Sequence, residues 1–308
     1  MSAFARFESS DRLYLTDSGL ETTLIFHEGY DLPVFAAYPL LGMARGRDTL
    51  RDYYRRHAGI AREHGAGFVF ETPTWRANAD WGRELGHDEA ELREVNADAV
   101  ALMRELAGEF PSDVPFLISG NIGPRGDGYV ADAALGSDAA RDYHAPQIRT
   151  FAEAGVDLVS AFTLSTADEA IGIAQACESA GVPCVIAFTV ETDGALPDGT
   201  PLGEAIAKTD RDAPGAVAHY MINCAHPDHF FPALEGDWTK RVGAVRCNAS
   251  RMSHAELDEA EELDDGDPQD FGALHAALRE RLPNLRVVGG CCGSDHRHVD
   301  AAARTLCA

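Results

Sequence analysis

Short apolar blocks separated by longer amphipathic stretches recur along the chain. The blocks run from Leu13 to Gly19, Phe68 to Thr74, Phe116 to Gly123, Leu158 to Leu164, Cys184 to Val190, Ala218 to Cys224, Val242 to Cys247 and Arg286 to Gly290. Each is rich in Val, Ile, Leu or Phe and too short for a helix, the pattern of a strand buried on both faces in a parallel sheet. Between them lie segments with helical spacing, such as Thr49 to Glu63, Glu89 to Ala107, Ala139 to Ala154 and Ala167 to Ala180. Leu50, Tyr53, His57 and Ile60 fall on one face of the first. Several close on glycine, in EHGAG, EAGVD and SAGVP, where a residue free to take positive φ ends the helix before the next strand. Strand then helix, repeated about eight times in 308 residues, predicts an α/β fold, a single (β/α)8 TIM barrel spanning residues 1–308.

Composition narrows the partners. Fifty acidic against 26 basic residues give a formal charge of -24, which repels phosphate backbones and anionic lipid surfaces, so neither nucleic acid nor membrane is an expected partner. No apolar run approaches the ~20 residues of a membrane helix and the first residues lack a signal-peptide core, so the expected localisation is cytoplasmic. The most acidic stretch, Ser250 to Asp270, follows the seventh strand and reads as a solvated lid-like loop on the active face rather than as a metal site.

The candidate chemistry lies with the cysteines. There are seven, an odd number and no disulfide framework for a chain of this kind, which raises the weight of metal or catalytic use. In a barrel the active face is formed by the C-terminal ends of the strands. Cys224 ends the sixth strand, in INCAHP, and Cys291 and Cys292 end the eighth, in GGCCG. Three thiolates gathered there supply three of the four positions of tetrahedral Zn2+ and leave one open, as a catalytic zinc requires. Glycines 289, 290 and 293 are expected to supply the backbone angles that swing adjacent cysteines toward one ion. Cys247 is expected to pack, and Asp295 to cap the last helix.

DSGLETTL (Asp17 to Leu24), SGNIGP (Ser119 to Pro124), INCAHP (Ile222 to Pro227) and GGCCG (Gly289 to Gly293) together resemble the homocysteine S-methyltransferase family over nearly the whole chain. The resemblance implies a zinc-dependent barrel methyltransferase that moves a methyl group from a small donor to the thiol of homocysteine, giving methionine, with Zn2+ held by Cys224, Cys291 and Cys292. It also places Asp17, Ser18 and Gly19 near the amino-acid substrate, with Ser18 replacing the middle glycine of the family's Asp-Gly-Gly. Trp75 becomes a candidate for cation–π contact with a cationic donor, and Asn223 an orienter of loop or substrate. S-methylmethionine or S-adenosylmethionine is the expected donor, while betaine is disfavoured because only a short segment follows GGCCG, a difference that leaves the oligomeric state open.

In family members using betaine or S-methylmethionine a glutamate ends the fourth strand and binds the substrate's ammonium group, whereas this chain has Phe162. Glu191 or Asp193, after the fifth strand, is expected to substitute. The alternatives are methylation of a different small thiol by the same chemistry and, from another class, a metal-dependent barrel hydrolase, for which the early His-x-His ligand pair is missing.

Overall fold

The computed structural model describes residues 1–111, 114–129, 135–260 and 262–307. Eight parallel strands close into a barrel in sequence order: β1 (Tyr14–Leu15), β2 (Gly67–Glu71), β3 (Phe116–Ile122), β4 (Leu158–Leu164), β5 (Cys184–Phe188), β6 (Val217–Asn223), β7 (Val242–Cys247) and β8 (Val287–Gly290). The ring shuts where Tyr14 and Leu15 pair with Val287 and Val288. Helices packed outside include Ala44–Glu63, Glu89–Gly108, Ser137–Ala154, Ala167–Ala180, Pro268–Arg281 and His296–Leu306. The expected single (β/α)8 barrel is the fold found. Gly155 and Gly181 cap their helices at φ 77° and 69°, and Gly65 at 67° follows the first long helix, as the sequence requires.

Most element ends shift by a few residues from the sequence reading, and the two largest departures have physical reasons. β1 is only two residues long, because Thr16 to Gly19 are polar and turn inward over the mouth. The first long helix begins at Ala44 rather than Thr49; its opening residues, ARGRD, carry few apolar positions to signal the start.

Strand periodicity assigns the interior. Side chains alternate faces with a period of two, so one parity on each strand points into the barrel. Tyr14, Val69, Leu117, Leu158, Val185, Ala187, Met221, Ala244 and Val287 form one apolar cluster there with Phe4 and Phe7 of the N-terminal helix Ala3–Glu8. That helix plugs the N-terminal mouth. Phe7 meets Tyr14 edge-on at 5.0 Å between ring centroids, and the Arg286 guanidinium stacks 4.7 Å over its ring while donating hydrogen bonds to the carbonyls of Phe7, Glu8 and Ser10. Continuing the same parity toward the strands' C-terminal ends turns the interior polar, through Ser119, Ser160, Glu71, Asn121, Asn223 and Arg246.

Among the described residues no helix is long and apolar enough to cross a membrane.

Candidate metal centre

The thiols of Cys224, Cys291 and Cys292 converge on the C-terminal mouth, their Sγ atoms all within 4.8 Å of one another, and form the one cysteine, histidine or carboxylate group of metal-binding geometry found among the described residues. Cys224 Sγ lies 3.4 Å from Cys292 Sγ. Two sulfurs on a tetrahedral zinc with bonds of ~2.3 Å stand ~3.8 Å apart, so the donor set suits such an ion and leaves its fourth corner free of protein nitrogen or sulfur.

Backbone geometry at both strand ends serves this convergence. Cys224 sits at φ 56°, a left-handed conformation costly for a side chain with a β carbon. Its carbonyl oxygen accepts hydrogen bonds from His254 Nε2 (2.7 Å), Asn248 Nδ2 (3.1 Å) and Thr189 Oγ1 (3.4 Å), and its N–H donates to the Arg246 carbonyl at 3.0 Å. These four bonds hold the strained turn. At β8 the three glycines do different jobs. Gly293 alone adopts positive φ, at 77°, whereas Gly289 and Gly290 are needed for close approach: a β carbon would stand 2.0 Å from Thr16 Oγ1 at the first and 2.0 Å from Ser294 Oγ at the second.

Beside the thiols is a cavity of about 60 Å3, lined among others by Asp17, Glu21, Glu71, Trp75, Asn121, Tyr129, Phe162 and Arg246. Asp17, Ser18, Gly19, Trp75 and Asn223 all line it as well. Several of their polar groups are already engaged. Asp17 pairs with the Arg246 guanidinium through Oδ1 and accepts from the Tyr53 hydroxyl through Oδ2 at 3.1 Å. Ser18 donates its N–H to Tyr53 Oη (3.1 Å) and its hydroxyl to His57 Nε2 (2.9 Å), His57 using Nδ1–H on the Tyr53 carbonyl. Burial pushes His57 down to about 4, so the ring is neutral and can accept. Asn223 spends its amide on Thr163, accepting from the backbone N–H (2.9 Å) and donating to Oγ1 (2.8 Å), which ties the end of β6 to the end of β4.

Trp75 is already engaged: the Arg76 guanidinium lies 3.9 Å from its ring centroid and equally close to Trp81, its indole N–H donates to the Phe162 carbonyl at 3.3 Å, and Phe35 meets its ring edge-on. Glu191 is not among the residues lining the cavity. Its carboxylate meets His254 Nδ1 at 3.0 Å, and through His254 it supports the Cys224 carbonyl. Asp193 turns back on its own loop to the N–H of Ala195. Asp295 caps the helix His296–Leu306, and Cys247 is fully buried.

The chain brings further residues to the site that the sequence reading did not single out. Tyr129 places its hydroxyl 2.9 Å from Cys224 Sγ and 3.8 Å from Cys292 Sγ. Burial, then the neighbouring thiols, raise its phenol well above the usual range, so it stays protonated and donates to sulfur. Glu71 and Arg246 are charged side chains at inward parity on strand ends, and that parity was the available signal. Burial raises the carboxyls of Glu21 and Glu71 to about 7.

A second chamber of about 370 Å3 adjoins the first, sharing Thr22, Phe35, Trp75, Tyr129 and Cys292 with it, and is bordered by Asp127, Asp258, Glu262 and Asp264. Part of the acidic stretch 250–270 forms its wall, through the capped turn His254–Asp258; Glu261 lies outside the described residues.

The sequence model of a family described as homocysteine S-methyltransferase matches residues 15–306. Homocysteine S-methyltransferase of Escherichia coli (strain K12) is 27% identical over 200 residues, 61% of this chain and 61% of that protein, less than two thirds of its length. Homocysteine S-methyltransferase YbgG of Bacillus subtilis (strain 168) is 24% identical over 256 residues, 75% of this chain and 77% of that protein. In three dimensions the metallated form of the E. coli homocysteine methyltransferase MmuM shares the fold, with a TM-score of 0.75 at 21% identity over 97% of this chain and 98% of that one. With the thiol cluster at the strand ends where GGCCG and INCAHP fall, the chain belongs to the homocysteine S-methyltransferase family.

Proposed function

We propose that the protein is a zinc-dependent methyltransferase that transfers a methyl group from a small cationic donor to the thiol of homocysteine, giving methionine. The convergence of three cysteine sulfurs from two distant strand ends beside a cavity carries this reading. Cys224, Cys291 and Cys292 would hold the zinc. When bound, zinc keeps a thiol ligand deprotonated near neutral pH, where a free thiol of pKa ~8.5 is mostly protonated.

The remaining work falls to the chain. Four hydrogen bonds fix the Cys224 turn, so the sulfurs are preorganised rather than gathered on demand. The inner cavity suits an acceptor of amino-acid size, with Cys224 buried and Cys291 and Cys292 partly exposed toward it. Tyr129, donating to Cys224 sulfur, stands where inner cavity and outer chamber meet. The outer chamber joins aromatic Phe35, Trp75 and Tyr129 to four carboxylates against one guanidinium, Arg76, which stacks on Trp75; the excess of acid and the rings of Phe35 and Tyr129 favour a positively charged sulfonium donor. S-methylmethionine and S-adenosylmethionine are such donors.

The test is to incubate zinc-loaded protein with homocysteine and each of S-methylmethionine, S-adenosylmethionine and betaine, and to identify the products by mass. Methionine from a sulfonium donor is the expected result. Homocysteine left unmethylated with every donor overturns the assignment.

A further inference from the structure

Phe162 leaves the acceptor's amino group without the carboxylate that the family resemblance leads one to expect on the fourth strand. In the barrel its ring faces inward, 5.0 Å from the Arg246 guanidinium, and it has no charge to offer. Another acidic side chain of the cavity must be free to serve. Asp17 is committed to Arg246 and Tyr53. Glu21, on the short helix Leu20–Thr22, also lines the cavity with a carboxyl raised by burial, but the residue is partly exposed and has no buried unpartnered oxygen. Glu71, at the end of β2, differs from both: it is 3% exposed, lines the cavity, and its Oε2 has no hydrogen-bond partner.

The other oxygen of that carboxylate is fixed. Ser119 Oγ donates to Ser160 Oγ at 2.8 Å, and Ser160 Oγ donates to Glu71 Oε1 at 3.2 Å, a relay of hydroxyls that orients the group and leaves one oxygen over. Asn121, one strand away and 6% exposed, repeats the pattern. Its N–H donates to Thr72 Oγ1 and its carbonyl accepts from Thr74 Oγ1, yet its side-chain Oδ1 is unpartnered. Two buried acceptors without donors in one cavity are costly, and a native fold retains them where a ligand brings the donors. An ammonium group carries three N–H donors and a positive charge.

From this arrangement, and resting on the reading of the site as a thiol methyltransferase, we infer that Glu71, with Asn121 beside it, binds the α-ammonium group of the acceptor, so that the anchoring charge has moved from the fourth strand to the second. With the amine held there, a thiol of the same length without the amino group is a poor ligand.

The experiment is a calorimetric titration of the zinc-loaded protein with L-homocysteine and with 4-mercaptobutyrate, which keeps the thiol and carboxylate and lacks the amine. The wild-type chain is expected to bind homocysteine about 100-fold more tightly, the scale of a buried charge pair. Glu71→Gln, close to isosteric, is expected to bring the two thiols within about 5-fold while leaving the affinity for 4-mercaptobutyrate unchanged. A variant that retains the wild-type preference overturns the assignment. So does a wild-type protein with no preference, a result that needs no variant to fold. Binding requires no methyl donor, which separates this outcome from the activity: amine-dependent binding without methyl transfer to any thiol leaves Glu71 in place and defeats the methyltransferase reading, whereas equal methylation of both thiols does the reverse.

Discussion

The two mouths of the barrel are built on opposite principles. At the N-terminal mouth Phe4 and Phe7 fill the opening, Phe7 packs edge to face on Tyr14, and the Arg286 guanidinium donates to three backbone carbonyls. At the C-terminal mouth the same inward parity carries acids, amides and thiols, with Cys224 and Thr163 at positive φ and with Glu71 Oε2, Asn121 Oδ1 and Arg246 Nε lacking partners. One end is a core; the other holds strain and unmet hydrogen bonds that the closed barrel stabilises. A parallel barrel separates stability from chemistry along its axis, so the two can be disturbed independently.

The largest effect that would break this division comes from the thiols. Cys224→Ser or Cys292→Ser is expected to abolish stoichiometric zinc, read by elemental mass spectrometry, and methyl transfer with it, while urea unfolding of the metal-free form shifts little; retained metal would show that the cluster is not the site. Next, Phe7→Ala at the plugged end should cost ~3–5 kcal/mol in urea unfolding, the usual loss for a buried phenylalanine, and leave kcat of the folded protein unchanged. A matching fall in kcat would mean that the mouths are coupled.

Smaller effects sharpen the contrast. His254→Ala removes the shortest bond to the Cys224 carbonyl and should weaken zinc ~10–100-fold in chelator competition, with the inner cavity's thiol selectivity intact. Glu71→Gln should show what an ionisable group at this mouth costs. Burial, helped by Asp17, outweighs Arg246, Ser119 and Ser160, which favour the ionised form, so Glu71 keeps its proton in the folded chain up to about 7, against 4.5 when exposed. The unfolded chain thus ionises first, and folding loses up to ~1.4 kcal/mol per pH unit as pH rises from about 4.5 to 7. Removing the group should make the variant gain on the wild type across that window and stay level above it. A pH-independent difference in urea stability would refute the assignment of that cost.

Much of this was legible in the sequence because parallel strands leave unbroken apolar blocks and glycine-ended helices between them; β4 and β7 begin and end at the residues where the blocks do. The thiols were legible because glycines and cysteines sit next to strand ends. What stayed hidden depends on contacts between distant segments. Nothing local shows that Asp17 is neutralised by Arg246, 229 residues away, or that Glu191 faces His254 and not the cavity. Tyr129 reaches the sulfurs from a loop with no periodicity to read. Glu71 and Arg246 were within reach of the pattern, since each breaks an apolar alternation at the last inward position of its strand.

The plugged mouth also bears on how the protein can be handled. Helix Ala3–Glu8 and Lys240, whose backbone carbonyl accepts from Asn284, lie on the face away from the sulfurs. A fusion partner or a chip surface attached there would leave the cysteine-bearing opening turned toward solution, suiting the barrel to oriented immobilisation.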